Sequence, residues 1–283
     1  MLGTPRDLCE AWRMGGSGLT WAIFDGFEAP IRKLTWSPLT DLIELGQAHA
    51  HRQCAELPDL LAEWNRQLAY LDGDPSHLDW QAFRPLRTAR EEHWSDWLHH
   101  FLSTSGTGHL AHQLFTHSGF EGTKECMSPT VTREEVSEDR RADLVIEWNK
   151  SKYSQLEVKV GDLNFEKTYD TALRLQQKYP GPARWTHYLL VPREDEGQWH
   201  PVDDPALPTV HIVTWDDVAI ALRRSLRLRL ESHHWLAWAY GFCGLIEQKL
   251  LGLPRTAASL VSVSDMARRV RQISIMKRGL EDA

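Results

Sequence analysis

The chain has 283 residues, a formal net charge of −7 and 42% hydrophobic residues, enough apolar material for one large domain or two small ones, which excludes global disorder. The acidic balance gives no global basic field, so any contact with nucleic acid must come from local basic patches and bound metal. The four cysteines, Cys9, Cys54, Cys126 and Cys243, form no Cys-x-x-Cys pair, which argues for reduced thiols in a cytoplasmic protein and against a zinc ribbon.

The N-terminal residues lack an apolar signal region. The longest apolar segment, Trp235 to Leu253, carries Glu247, Gln248 and Lys249. It reads as a buried helix, and no membrane partner is expected. Residues 1–87 read as a mostly helical region, either an accessory module or a helical layer packed on the rest of the chain, in which Leu60, Leu61, Trp64 and Leu68 share one helical face. Asp72-Gly-Asp-Pro-Ser76 and Arg84-Pro85 punctuate its end. A helix is expected to start near Thr88, with Thr88 as its N-cap and Glu91 at the third helical position of a capping box. Its apolar stripe is Trp94, Trp97, Leu98, Phe101 and Leu102. A shorter helix over His109–Thr116 comes next, and then a strand over Val131–Val136.

Arg141-Ala-Asp-Leu-Val-Ile-Glu-Trp148 and Gln155-Leu-Glu-Val-Lys-Val160 read as two strands of a hairpin, because β-branched and aromatic residues dominate and alternate with polar ones. Asn149 to Ser154 suit the connecting loop. A helix over 164–179 is stopped by Pro180-Gly-Pro182. Strands over 187–192 and 209–215, a helix over 216–230 capped by Thr214 or Asp216, and helices over 232–251 and 263–278 complete the chain. The order is α-β-β-β-α-β from 88 to 192.

The hairpin carries the chemistry. Side chains alternate along a strand, so Glu157 and Lys159 point away from Leu156, Val158 and Val160. If the hairpin is symmetric about Lys150, Asp143 stands opposite Glu157. Opposed like charges ~5 Å apart repel, and a cation between them would relieve this. The bland alternative is a cross-strand charge cluster on a solvated face.

This Asp-x13-Glu-x-Lys pattern of Asp143, Glu157 and Lys159 resembles the PD-(D/E)XK nuclease superfamily, with Ala142 where the name-giving Pro stands. Arg90 to Leu98 and Phe165 to Leu175 resemble the helices that flank the motif in small bacterial members, so the likeness spans roughly residues 85 to 250. It implies an α/β fold with a restriction-endonuclease-like core (a mixed sheet flanked by helices) over 88–215, and a C-terminal helical region, 216–283, packed on it. It implies a Mg²⁺-dependent phosphodiesterase in which Mn²⁺ can substitute. The metal would be held by Asp143, Glu157, the Val158 carbonyl and Glu91, with Lys159 and the same carboxylates in catalysis. For Glu91 the alternative is a capping role, with Glu92 as the register alternative. DNA is the expected substrate before RNA, a role in anti-phage defence is a further implication, and a homo-oligomer or a defence-system partner protein fits the same picture. The rivals are an RNA-cleaving or partner-activated nuclease, and a silent nuclease fold acting as a binding subunit.

Secondary candidates stand apart from the motif. Lys167 and Gln177, with Asp170 and Arg174, share a helix face. The basic runs Arg223–Arg229 and Arg268–Arg278 could touch phosphates, although solvated helix faces are routinely basic. His109, His112 and His117 lack the accompanying ligands of a catalytic zinc site.

Overall fold

Long apolar strands need cover on both faces, and this chain supplies it with helices. The computed structural model describes residues 37–80, 90–115, 129–137, 140–149, 152–161, 166–178, 184–199, 207–256 and 262–281. The chain forms two compact units, 1–51 and 52–283. In the first, the described residues belong to helix α1 (Ser37–Ala55). The second unit holds the sheet and the remaining helices.

Five strands form one mixed sheet in chain order: β1 (Thr130–Ser137), β2 (Arg140–Asn149), β3 (Lys152–Val158), β4 (Arg184–Val191) and β5 (Val210–Thr214). The first three form an antiparallel meander, whereas β3, β4 and β5 run parallel. Leu144 pairs with Leu156, Val145 with Gln155 and Ile146 with Ser154. This register is symmetric about Lys150, and one further step sets Asp143 opposite Glu157. A bulge near Trp148 shifts the register toward the loop.

Leu144, Ile146, Leu156, Val158, Tyr188 and Leu190 turn one face of the sheet to the main core. Helices α2 (Leu57–Gln67), α3 (Glu91–Thr104), α4 (His109–Leu114), α6 (Trp215–Leu228) and α7 (His233–Leu245) contribute to that core. Helix α5 (Glu166–Lys178) makes the parallel crossover from β3 to β4 and covers the other face, where Leu175 packs with Ala142 and Val145. Helix α8 (Val263–Leu280) packs on α6. Tryptophans fill the centre: Trp94 meets Trp215 edge-on at 5.6 Å, and Trp97 stacks on Phe101 at 5.8 Å. Trp80 lies against α7 at Gly244, where a Cβ would overlap its indole. Trp64, Leu68 and Trp80 belong to this same core, so the segment from Leu57 to Trp80 packs with the sheet rather than apart from it.

The helix bearing Glu91 differs in its start. Thr88 lies outside the described residues, and α3 begins at Glu91 with Arg90 as its N-cap. The Arg90 N–H donates to His93 Nδ1 at 3.3 Å. His93 therefore fills the capping-box position expected for Glu91, and the Glu91 carboxylate is released for other partners. Thr214 caps α6: its hydroxyl accepts from the Asp217 N–H, and the Asp217 carboxylate accepts from the Thr214 N–H at 3.0 Å.

Arg223, expected among exposed basic residues, is fully buried. It donates to Asp74 at 2.7 Å and to Glu247 at 2.6 and 2.9 Å, and lies 4.7 Å from the Trp64 ring centre. That pairing clamps the turn at Pro75–His77 to α6 and to the turn that continues α7, and it removes Arg223 from any phosphate surface. No described helix is long and apolar enough to cross a membrane.

Candidate functional site

Three parallel strands end at one edge of the sheet, and the chemistry gathers there. Beyond Val158 the chain leaves β3, held by the Lys159 N–H on the Leu190 carbonyl at 2.8 Å and by the Trp215 indole on the Lys159 carbonyl at 3.0 Å. These main-chain ties fix where Glu157 and Lys159 project.

The structure brings Asp143, Glu157, Lys159 and Glu91 together. Lys159 Nζ stands 3.2 Å from Glu157 Oε1 and 3.5 Å from Glu91 Oε1. The other Glu91 oxygen accepts the Val160 N–H at 3.1 Å. Asp143 Oδ2 accepts the Val158 N–H at 2.8 Å, which anchors the carboxylate of β2 on β3. Val158 thus enters the site through its main chain, while its side chain is in the core. Glu92, the register alternative, is exposed, and the reach of Glu91 toward the motif is what the helix start at Arg90 permits.

The electrostatics are those of carboxylates crowded in a dry place. Burial, then Asp143, push the Glu157 carboxyl up to about 7 against the pull of Lys159, and Glu91 adds to the upward push. Burial also raises Asp143, opposed by the Val158 N–H and Lys159 and reinforced by Glu91. Burial works against a charged Lys159, yet Glu157 and Glu91 outweigh it and hold its pKa above the ordinary value. One ammonium is therefore set among three carboxylates. Glu157 Oε2 is buried and has no hydrogen-bond partner, a costly condition for a carboxylate oxygen.

These groups fit a hard divalent cation. Every donor is an oxygen, and Mg²⁺ is commonly held by one or two carboxylates plus water and substrate oxygens. A cation between Asp143 and Glu157 would partner the orphaned Glu157 oxygen and lower both carboxyl groups. Among the described residues no three His, Cys, Asp or Glu side chains form a ready metal cage. The reason is visible: Glu91 is turned to Val160 and Lys159, leaving a two-carboxylate pair rather than a closed set.

The helix candidates fall differently. Lys167, Asp170 and Gln177 are exposed on α5, on the solvated face that the bland alternative expects. The neighbour Gln176 turns inward and its Nε2 lies 3.0 Å from His187 Nε2. His187 Nδ1 in turn lies 2.8 Å from Gln155 Oε1. Because that oxygen only accepts, Nδ1 carries the proton and Nε2 accepts from Gln176. Burial, with His211 nearby, drives His187 down to about 4, so it is neutral at ordinary pH. The Gln155 Nε2 that remains is buried without a partner, two residues before Glu157 on the same strand face. Reasoning from the sequence misses this relay. Its signal is polar Gln155, Glu157 and Lys159 at alternate positions of an otherwise apolar strand, together with His187 inside another. His112 and His109 lie on α4, and His117 lies outside the described residues.

No family model, curated protein or solved structure matches this chain.

Proposed function

We propose that this chain is a metal-dependent nuclease that hydrolyses phosphodiester bonds, with a restriction-endonuclease-like core formed by α3, β1–β3, α5 and β4. The observation that carries the proposal is the buried, unpartnered Glu157 oxygen opposite Asp143, with Lys159 beside it. Asp143 and Glu157 would hold Mg²⁺, or Mn²⁺ in its place, with the Val158 carbonyl as a third protein donor and Glu91 within reach. Bound there, the cation would supply Lewis-acid polarisation of the phosphoryl group and a more acidic water.

The chain's own residues would do the rest. An ammonium has three donors; Glu157 and Glu91 engage Lys159, leaving it able to donate to the attacking water or to a phosphoryl oxygen as charge grows there. Glu91, 3.5 Å from Lys159 Nζ, would help to hold the ammonium at the site. The Val158 N–H fixes Asp143, so the carboxylate pair is set before substrate arrives.

DNA is the substrate we favour. The direct test incubates purified protein with supercoiled plasmid DNA, and separately with RNA, in Mg²⁺ and in EDTA. Mg²⁺-dependent nicking or linearisation of the plasmid is expected. Cutting of RNA alone would reassign the substrate, and cutting of neither would remove the proposal in favour of a silent binding subunit.

A further inference from the structure

The edge of the sheet that carries the candidate site does not end at β3. Strands β4 and β5 run parallel to it, so their C-terminal ends lie along the same edge. Just past β4 comes Arg193, and just past β5 comes Asp216 in the first turn of α6. Strands are ~4.8 Å apart, which sets these positions about 5 and 10 Å along the edge from β3. A cleft of about 450 Å³ opens there, lined by Arg193, Glu194, Asp216, Arg271, Ser274 and Arg278 among others. Crevices at the carboxyl ends of parallel strands are the usual ligand sites of open α/β sheets.

The arginines are arranged for an anion. Asp216 is almost wholly buried and takes two donors of Arg271, Nε at 3.0 Å and Nη2 at 2.6 Å. This holds the guanidinium flat and rigid. Its remaining edge meets Glu194 only at 3.5 Å, and that carboxylate is 57% exposed. Arg193 touches Asp216 at 3.5 Å through one nitrogen and is 55% exposed. Arg278 meets Asp217 at 3.1 Å through one nitrogen and is also partly exposed. Each guanidinium carries five donors in a fork suited to a phosphate; Arg193 and Arg278 each spend one on a carboxylate, while Arg271 is engaged by Asp216 and, at long range, by Glu194. Glu194, at the end of long contacts, occupies the place a phosphate oxygen would take.

We infer that this arginine cleft binds the phosphodiester backbone of nucleic acid beside the bond to be cut. The inference rests on the nuclease reading for the position of that bond, but not for the binding itself. Along a B-DNA strand phosphates recur every ~3.4 Å of axis, so the cleft lies roughly two or three phosphates from the Asp143–Glu157 pair. Recognition is of charge and shape, without base readout. Ser274 adds a hydroxyl donor on the same wall. Arg271 and Arg278 belong to a basic run that the sequence alone leaves as an ordinary helix face. The fold turns these two toward the sheet edge, while Arg269 is buried on Gln272 and the Arg255 carbonyl.

The test is binding rather than activity. The full chain is titrated in EDTA against a short fluorescein-labelled DNA duplex and the matching single strand, over a range of salt, by anisotropy. Three variants are compared with the unaltered chain: Arg193→Gln, Arg278→Gln and Glu194→Gln. Arg271 is left in place, because its loss would strand buried Asp216. Each arginine variant should weaken binding several-fold and make the salt slope shallower by about 1, as expected for one phosphate contact. Glu194→Gln should tighten binding several-fold, a gain that misfolding cannot mimic. Unchanged affinity and slope in the arginine variants, weaker binding by Glu194→Gln, or no binding by the unaltered chain would each overturn the inference. Binding with this pattern but no cleavage in Mg²⁺ would uphold the cleft and sink the nuclease reading alone.

Discussion

Replacing Glu157 by Gln should stabilise the metal-free protein at neutral and higher pH, although it removes a hydrogen-bonded, buried residue. Burial and Asp143 lift the Glu157 carboxyl from 4.5 to about 7. At about 1.36 kcal/mol per unit, keeping it ionised costs the metal-free fold about 3 kcal/mol. A folded pKa above the unfolded one means that the folded state holds the proton more tightly. The stability it contributes is complete below 4.5, falls as pH rises through about 7, and is gone above that. Gln removes this loss. Because that shift is already net of the attraction to Lys159, the variant should gain about 3 kcal/mol near pH 8, or about 6–12 °C in Tm at about 2–4 °C per kcal/mol. Near pH 4.5 the two proteins should melt alike. Mg²⁺ at about a thousand times its Kd should reverse the order, because a cation then stabilises by about 4.1 kcal/mol, and only the native carboxylate pair can collect that. Thermal melts in EDTA and in Mg²⁺ from about pH 4.5 to about pH 8.5 make the measurement. A Glu157→Gln protein that melts below the unaltered chain near pH 8 in EDTA would refute the reasoning.

Glu91→Gln should lower cleavage heavily and raise the Mg²⁺ requirement while Tm stays almost unchanged, since Gln still accepts the Val160 N–H; wild-type Mg²⁺ dependence would return Glu91 to a positioning role. Arg223→Met strands Asp74 and Glu247 in the core and should cost about 3–5 kcal/mol, read by chemical denaturation. Replacing all three residues of that cluster with apolar residues of similar volume should restore much of the loss.

Much of the sheet is legible in the sequence because strand alternation and the hairpin register are local properties. The symmetry about Lys150 comes from loop length and polarity, and it sets Asp143 against Glu157. The helix start is less legible. Arg90 as N-cap depends on where the preceding chain runs, whereas Thr88 and Glu91 offer a competing capping box of equal local quality. Arg223 shows a different limit. Within Arg223–Arg229 its composition is that of a solvated face, and only the distant Asp74 and Glu247 make its burial tolerable. The inward turn of Gln176 rather than Gln177 is a matter of a single residue in helical phase, finer than periodicity can tell. Arg193 and Arg271 are 78 residues apart in the sequence, and only the parallel order of β3, β4 and β5 brings them to one edge.

In the proposed site Asp143 and Glu157 hold a cation, while Lys159 serves the reaction without binding it. Paired calorimetric Mg²⁺ titration and plasmid cleavage on Lys159→Ala and Asp143→Ala test these roles most directly. Lys159→Ala should keep Mg²⁺ binding and lose cleavage, and Asp143→Ala should lose both. Cleavage by Lys159→Ala at the rate of the unaltered chain, or undiminished Mg²⁺ binding by Asp143→Ala, would contradict them.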